Sequence, residues 1–209
     1  MKEILEQRIV PVAVIERVID AVPIARALAA GGLTTLELTL RTPAALDCIR
    51  VIRAEVPEMK VGAGTVLSIK QVHEVAAAGA FFAVAPGLNR RVVEAARTIG
   101  LPFFPGVMTP SDVEAALEMD CTLQKLFPAS VAGGTEMVRA LAGPYAHTGL
   151  KLIPLGGISA KNLNDYLALP LVAAVGGSWL VDKKLVAAGD WAGITRLVEE
   201  ATAIARSAS

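Results

Sequence analysis

The chain has 209 residues, of which 54% are hydrophobic and 19% charged, so it is long enough to bury a substantial core and too apolar to be disordered. Its formal net charge at pH 7 is zero, which argues against nucleic-acid binding and against a polybasic contact with a membrane. Cys48 and Cys121 do not make a disulfide framework, and residues 1–9 lack the apolar core of a signal peptide. With no long uninterrupted apolar run, we expect a cytoplasmic protein that does not span a membrane.

Short apolar or β-branched runs alternate with Ala-rich amphipathic segments along the whole chain. Eight runs are typical of strands, at residues 9–15, 35–40, 60–63, 81–85, 102–105, 122–127, 150–155 and 172–175. The segments typical of helices are 19–30, 43–55, 69–78, 90–99, 110–118, 136–141, 160–169 and 190–205, with a short extra helix near residues 2–7. This α/β pattern predicts a parallel sheet, most economically closed as a single (β/α)8 TIM barrel over residues 1–209. An open doubly wound sheet is the alternative.

Functional residues of such barrels lie at the carboxyl ends of the strands. In the second predicted strand, leucines alternate with Glu37, Thr39 and Arg41, which places these three polar residues on the inward side. If the strand is extended, Glu37 and Arg41 are roughly 13 Å apart and cannot neutralise each other. Each then needs another partner, either a neighbouring strand or a substrate.

The next three strands end in small residues and prolines. Thr65 offers a hydroxyl directly after a glycine-containing strand, whose backbone another group can approach closely. Pro86 and Pro105 follow the fourth and fifth strands. Turn formation explains both prolines, and they would also give a pocket a rigid, apolar lip.

Lys125 lies in the sixth predicted strand, among apolar neighbours that include Phe127 on the same side. A buried ammonium is unfavourable unless it is paired or neutral, and a neutral amine is the nucleophile that attacks carbonyl carbon. The alternative is a lysine at the end of a strand whose amino group reaches solvent.

Two glycine pairs follow the last two strands, Gly156-Gly157 and Gly176-Gly177, and Ser178 comes next. The ends of these strands are the usual phosphate site of (β/α)8 barrels, where backbone N–H groups hold the anion. The sequence therefore predicts a phosphorylated ligand, although tight loops alone would also need glycines.

Taken together, these segments resemble the 2-keto-3-deoxy-6-phosphogluconate (KDPG) aldolases, a family that also covers 4-hydroxy-2-oxoglutarate (KHG) aldolase activity. The resemblance covers nearly the whole chain and rests on TLELTLRT at 35–42, VGAGTVL at 61–67, APG at 85–87, PG at 105–106, KLFPA at 125–129, GGIS at 156–159 and GGSWL at 176–180. It implies a homotrimeric class I aldolase that needs neither metal nor cofactor. Its ligands would be a phosphorylated 2-keto acid and pyruvate.

The resemblance also implies a role for each site residue. Lys125 matches the Schiff-base lysine and Glu37 the general acid/base. The remaining matches are Arg41 and Thr65 around the pyruvate carboxylate, Pro86 and Phe127 in the pocket walls, and Gly156, Gly157, Gly177 and Ser178 at the phosphate end. An iminium on Lys125 would act as the electron sink for cleavage of the C3–C4 bond, a task that a Lewis acid performs in other aldolases.

One residue departs from the family pattern. The family usually has threonine before the Gly-Gly of strand seven, where this chain has Leu155. Related 6-phosphogalactonate aldolases also carry an apolar residue there, so we expect relaxed discrimination at C4 of the substrate. Two other classes remain as alternatives, a phosphosugar isomerase or epimerase on the same barrel and a non-enzymatic sugar-phosphate-binding barrel.

Overall fold

Strands and helices alternate in the computed structural model, which describes residues 5–207. The strands are β1 (Ile9–Ala13), β2 (Thr35–Thr39), β3 (Lys60–Gly64), β4 (Ala83–Val84), β5 (Phe103–Phe104), β6 (Gly106–Val107), β7 (Leu123–Leu126), β8 (Lys151–Pro154) and β9 (Val175–Gly177). The helices are α1 (Val18–Ala30), α2 (Ala45–Glu55), α3 (Ile69–Ala77), α4 (Arg90–Thr98), α5 (Pro110–Leu117), α6 (Gly134–Tyr145), α7 (Leu163–Leu167), α8 (Lys183–Ala188) and α9 (Trp191–Ser207), with a 3₁₀ turn at Ala146–Thr148.

All strand pairings between these elements are parallel, which confirms the predicted α/β class. The strands form two sheets, of order β5-β4-β3-β2-β1-β9 and β6-β7-β8, rather than the one continuous closed sheet that the sequence predicts. The strand predicted at residues 102–105 is observed as β5, which ends at Phe104, and Pro105, which has no N–H to continue the ladder, separates it from β6. Isolated parallel bridges join the other ends of the sheets, Leu152 with Val172 and Leu155 with Gly176.

Alternate residues of the strands pack into two hydrophobic clusters. The outer cluster joins strand residues such as Leu36 and Leu38 to the apolar faces of the helices. The inner cluster contains Val10, Phe82, Val84, Phe104, Ile153 and Ala174, which come from both sheets or their flanks. The predicted orientation of strand two is therefore confirmed, because its leucines face the helices and its alternate residues face the other way.

Helix starts follow the local sequence signals. Ser68 and Asn89 cap α3 and α4 by accepting hydrogen bonds from Gln71 N and Arg91 N, and Thr109 and Asp112 form a capping box on α5. Three helices differ clearly from the prediction: α6 is longer than residues 136–141, α7 is shorter than residues 160–169, and α8 was not expected. Of the helix predicted near residues 2–7, residues 5 and 6 are helical, and residues 2–4 lie outside the described residues.

Candidate active site

Lys125 lies at the centre of the three-stranded sheet. In β7 its backbone pairs with Gly106 of β6 and Ile153 of β8, and its side chain is only 6% exposed. Ile153 belongs to the inner cluster, so Lys125 is on the same inward side. The lysine is therefore buried, and its amino group does not reach solvent as the alternative interpretation required.

The partner of this amine is a carboxylate from the other sheet. Glu37 Oε1 lies 3.0 Å from Lys125 Nζ and accepts its hydrogen bond, and the Glu37 side chain is only 4% exposed. The two residues are 88 positions apart in the chain and meet because β2 and β7 face each other across the inner cluster. An amine and a carboxylate in contact and shielded from water can exchange a proton directly.

The space beneath this pair is nearly filled. Glu37 and Lys125 border a cavity otherwise lined by Val10, Phe82, Val84, Phe104 and Ile153, and its free volume is about 10 Å³. That is roughly the volume that one water molecule occupies in a cavity. A reacting molecule therefore has to approach the pair from the carboxyl ends of the strands.

Phe127 follows Lys125 on the same side, and its ring centroid is 5.5 Å from Lys125 Nζ. Half-buried, the ring forms a wall above the amine. Pro86, also half-buried, follows β4. A Cβ on Gly106 would lie 2.2 Å from the carbonyl carbon and oxygen of Pro86, so the missing side chain at Gly106 lets this wall come close to the lysine strand.

Arg41 and Thr65 lie beyond the ends of two paired strands, β2 and β3. β2 ends at Thr39, so Arg41 is in the following turn and the alternation that predicted its inward direction does not extend to it. Its side chain is exposed and makes no hydrogen bond or ion pair within the described part of the chain. Thr65 is half-buried with φ of 60°, an unusual conformation for a β-branched residue. Within the described residues, neither side chain forms a hydrogen bond or an ion pair with Glu37 or Lys125.

The loops after β7 and β8 are bound to each other. Leu155 O accepts a hydrogen bond of 2.8 Å from Ala129 N, and Gly156 O accepts one of 3.0 Å from Ser130 N. Gly156 and Gly157 have φ values of 105° and 77°, which glycine adopts readily. The predicted glycine loop therefore lies beside the end of the lysine strand.

The second glycine pair has a packing role as well. A Cβ on Gly176 would lie 2.4 Å from Leu155 Cδ1, and one on Gly177 would lie 2.0 Å from the Trp179 ring. Ser178 is exposed in the bend after β9. The glycines at this position thus leave room for Leu155 and Trp179, and both glycines are buried in β9.

Two polar residues to which the sequence analysis gave no role lie in this region. Ser130, in the loop after β7, has its Oγ 3.5 Å from Gly157 O. The Thr39 hydroxyl is buried on the same side of β2 as Glu37 and has no hydrogen-bond partner within residues 5–207. Its inward position follows from alternation with Leu38, but a lone threonine in a strand gives no signal for function.

The described residues provide neither a metal centre nor a membrane-spanning helix. Among the residues that the structure describes, no group of three or more His, Cys, Asp or Glu side chains could hold a metal ion. No helix of residues 5–207 combines the length and the hydrophobicity that a membrane crossing requires.

Comparisons with known proteins agree on one family. Residues 1–197 match the family model described as KDPG and KHG aldolase. The 2-dehydro-3-deoxy-phosphogluconate aldolase of Haemophilus influenzae is 44% identical over 200 residues, which cover 96% of this chain and 93% of the relative.

Solved structures of KDPG aldolases are also similar to this chain. The KDPG aldolase of Legionella pneumophila, with pyruvate captured at low pH as a covalent carbinolamine intermediate, has a TM-score of 0.89 and 42% identity over 92% of each chain. The Zymomonas mobilis 2-keto-3-deoxy-6-phosphogluconate aldolase with 3-phosphoglycerate has a TM-score of 0.90 and 39% identity, over 97% of this chain and 95% of that one.

Proposed function

Because the chain belongs to the KDPG and KHG aldolase family, we propose that it is a class I aldolase, a carbon–carbon lyase that cleaves 2-dehydro-3-deoxy-6-phosphogluconate reversibly into pyruvate and glyceraldehyde 3-phosphate. The observation that carries the proposal is the buried contact of 3.0 Å between Lys125 Nζ and Glu37 Oε1. A carbinolamine, the species captured in the Legionella enzyme, forms when an amine adds to a ketone. Lys125 is the buried amine of this site.

The reaction begins with proton transfer from Lys125 to Glu37, which frees the amine. Nζ then attacks the C2 ketone of the substrate to form a carbinolamine. Glu37 returns its proton to the carbinolamine hydroxyl, which leaves as water and gives an iminium adjacent to C3, so Glu37 is a carboxylate again. Glu37 removes the proton of the C4 hydroxyl as the C3–C4 bond breaks, and the bonding electron pair moves into an enamine of pyruvate. Protonation of the enamine at C3 and hydrolysis of the resulting iminium release pyruvate and restore Lys125.

The two ends of the substrate carry negative charge, and the site offers a different group to each. The exposed guanidinium of Arg41 and the Thr65 hydroxyl bind the carboxylate, since a guanidinium matches a carboxylate in charge and geometry. The backbone N–H groups of Gly156, Gly157 and Gly177 and the Ser178 hydroxyl bind the phosphate. Pro86 and Phe127 wall the pocket between them.

Because residue 155 is a leucine, the site discriminates less strictly between the two configurations at C4 of the substrate. The loop after β8 holds this residue beside the end of β7, where a hydroxyl would be able to bind the substrate and leucine cannot. Cleavage of the C4 epimer, 2-dehydro-3-deoxy-6-phosphogalactonate, and of 4-hydroxy-2-oxoglutarate are the corresponding alternative activities.

At the level of the whole protein, the two sheets form one (β/α)8 barrel in a single domain over residues 1–209. The bridge between Leu155 and Gly176 supports closure on one side, and the continuity of β5 and β6 around Pro105 supports it on the other. The active form is a homotrimer in the cytoplasm, as the resemblance to the family implies.

Trapping with borohydride tests the Schiff base. In the presence of pyruvate, reduction should add one pyruvyl unit at Lys125, located by peptide mass spectrometry, because borohydride reduces the iminium to a stable amine. Lys125→Arg should abolish the adduct, whereas Lys151→Arg should not, since Lys151 Nζ bonds to Pro170 O at an exposed position. An unmodified Lys125 would exclude the mechanism and favour an isomerase or a binding protein.

A coupled assay for pyruvate release tests the role of Glu37. Glu37→Gln keeps the shape of the side chain but cannot accept a proton, so we expect pyruvate release to fall by about 10²- to 10⁴-fold. The variant should retain its circular dichroism spectrum. Pyruvate release close to that of the unmodified protein in a coupled assay would remove Glu37 from the mechanism.

A further inference from the structure

We propose that Gly64 is a positioning residue for Glu37: because it has no side chain, the catalytic carboxylate can lie against β3 and reach Lys125. The inference rests on the proposed role of Glu37. A Cβ at Gly64 would lie 2.3 Å from Glu37 Oε1, 2.8 Å from its Cγ and 2.9 Å from its Cδ. Real Cβ atoms do not approach other heavy atoms this closely, so the carboxylate occupies the space that any side chain at position 64 would need.

Strand register explains the contact. Glu37 pairs with Gly62, and Thr39 pairs with Gly64, so Gly64 is one inward step nearer the carboxyl end of the neighbouring strand. The Glu37 side chain leans along β2 in this direction and lies over the Gly64 backbone, with Oε1 also 3.0 Å from Lys125 Nζ. The oxygen that contacts the lysine is thus the atom that a methyl group at position 64 would displace.

Backbone conformation does not require glycine here. Gly64 is the last residue of β3 and is not among the glycines with positive φ, so an alanine could adopt its conformation. The carboxylate is the movable end of a flexible side chain, and it can rotate away from an added methyl group. Gly64→Ala should therefore fold and lose the alignment of Glu37 with Lys125.

Gly62 provides a matched control on the same strand and the same side. A Cβ there would lie 2.4 Å from the ring of Phe82, which belongs to the inner cluster. Gly62→Ala therefore disturbs packing of the core, whereas Gly64→Ala disturbs the catalytic carboxylate. The two substitutions differ in which neighbour they displace, although the added group is the same.

The experiment is a double-mutant cycle with Glu37→Asp, whose shorter side chain withdraws the carboxylate from Gly64. In the unmodified background, Gly64→Ala should lower kcat by about 100-fold and leave KM nearly unchanged, since a displacement of about 1 Å has an effect of this size. In the Glu37→Asp background the same substitution should lower kcat by a clearly smaller factor, because the contact of 2.3 Å with Oε1 is absent and only the one of 2.8 Å with Cγ remains. Gly62→Ala should change kcat by the same factor in both backgrounds.

Each result of the double-mutant cycle distinguishes between explanations. A kcat within about twofold of the unmodified protein, or an equal loss in both backgrounds, would overturn the proposal. If Gly64→Ala does not fold, folding of the double variant supports the clash with Glu37, and failure of both variants shows that the backbone needs glycine. Absence of pyruvate release by the unmodified protein would instead contradict the proposed function.

Discussion

Leu155 directly follows β8 and pairs with Gly176 in an isolated bridge, on the same inward side as Ile153, so it lies one step nearer the substrate's entry than the Lys125 layer. Its side chain sits on Gly176, so the neighbouring strand leaves room for it. A hydrogen bond to a substrate hydroxyl can discriminate strongly between epimers, whereas an apolar contact cannot. Specificity at C4 should therefore depend on the single hydroxyl that position 155 lacks.

Leu155→Thr should raise the ratio of kcat/KM for the 6-phosphogluconate-derived substrate over its C4 epimer by about tenfold, the equivalent of one net hydrogen bond. Leu155→Val is the matched control, since valine has nearly the shape of threonine and no hydroxyl. Retro-aldol kinetics on both epimers give the ratios. If the threonine and valine variants discriminate equally, position 155 does not read the C4 hydroxyl.

At the scale of the elements, the capping box of α5 makes the stability of the fold depend on pH. Asp112 Oδ2 accepts hydrogen bonds from Met108 N at 3.0 Å, Thr109 N at 2.9 Å and Thr109 Oγ1 at 2.9 Å. Burial alone would raise the pKa of the Asp112 carboxyl, but the hydrogen bonds from Thr109 and Met108 stabilise its charged form and lower the pKa. A lowered pKa in the folded state means that the charged carboxylate stabilises the fold above the unfolded pKa of about 3.9.

Asp112→Asn should therefore lower the free energy of unfolding by about 1 kcal/mol at pH 7. The difference should shrink as the pH falls below about 4 and the native carboxyl becomes protonated. Asp165→Asn is the control, because Asp165 lies in the first turn of α7 and its side chain has no hydrogen-bond partner within residues 5–207. Urea unfolding at several pH values measures the free energy of unfolding of both variants. A difference for Asp112→Asn that does not change with pH would contradict this account.

Local sequence patterns predicted most of the secondary-structure elements but not the contacts between them. Alternation and capping signals are local, so they located the strands and most helices and placed Glu37 on the inward face of its strand. For Lys125 they left the inward side of the strand open. The contact between these two residues joins positions 88 apart, and no local pattern contains it. Arg41 was placed by extending the alternation past Thr39, where the strand turns. The short helix α8 has no buried residues, and thus no apolar periodicity that could reveal it.

Across the whole molecule, the inner cluster supports the site from below. Phe82 and Phe104 lie with ring centroids 5.7 Å apart, and Phe82 also covers Gly62 on the neighbouring strand. Together with Ile153 they border the small cavity beneath Glu37 and Lys125. The packing that stabilises the fold therefore also holds the Glu37–Lys125 pair in place and keeps water away from it.

Two consecutive phenylalanines allow a matched test of this arrangement. Phe82 is 2% exposed in the inner cluster, whereas Phe81 is 36% exposed and its ring contacts Lys60 Nζ at 4.6 Å. Phe82→Ala should lower the free energy of unfolding by about 3–5 kcal/mol because it leaves a cavity in the core. Phe81→Ala should lower the free energy of unfolding by only about 1 kcal/mol.

Urea unfolding gives the two free energies, and a coupled assay for pyruvate gives the activity of each folded variant. Phe82→Ala should also lower kcat more than Phe81→Ala, because the new space lies directly below the Glu37–Lys125 pair and admits water. Equal losses of stability would mean that the inner cluster is not a packed core. A large loss of stability with unchanged kcat would mean that the pair keeps its geometry without support from below.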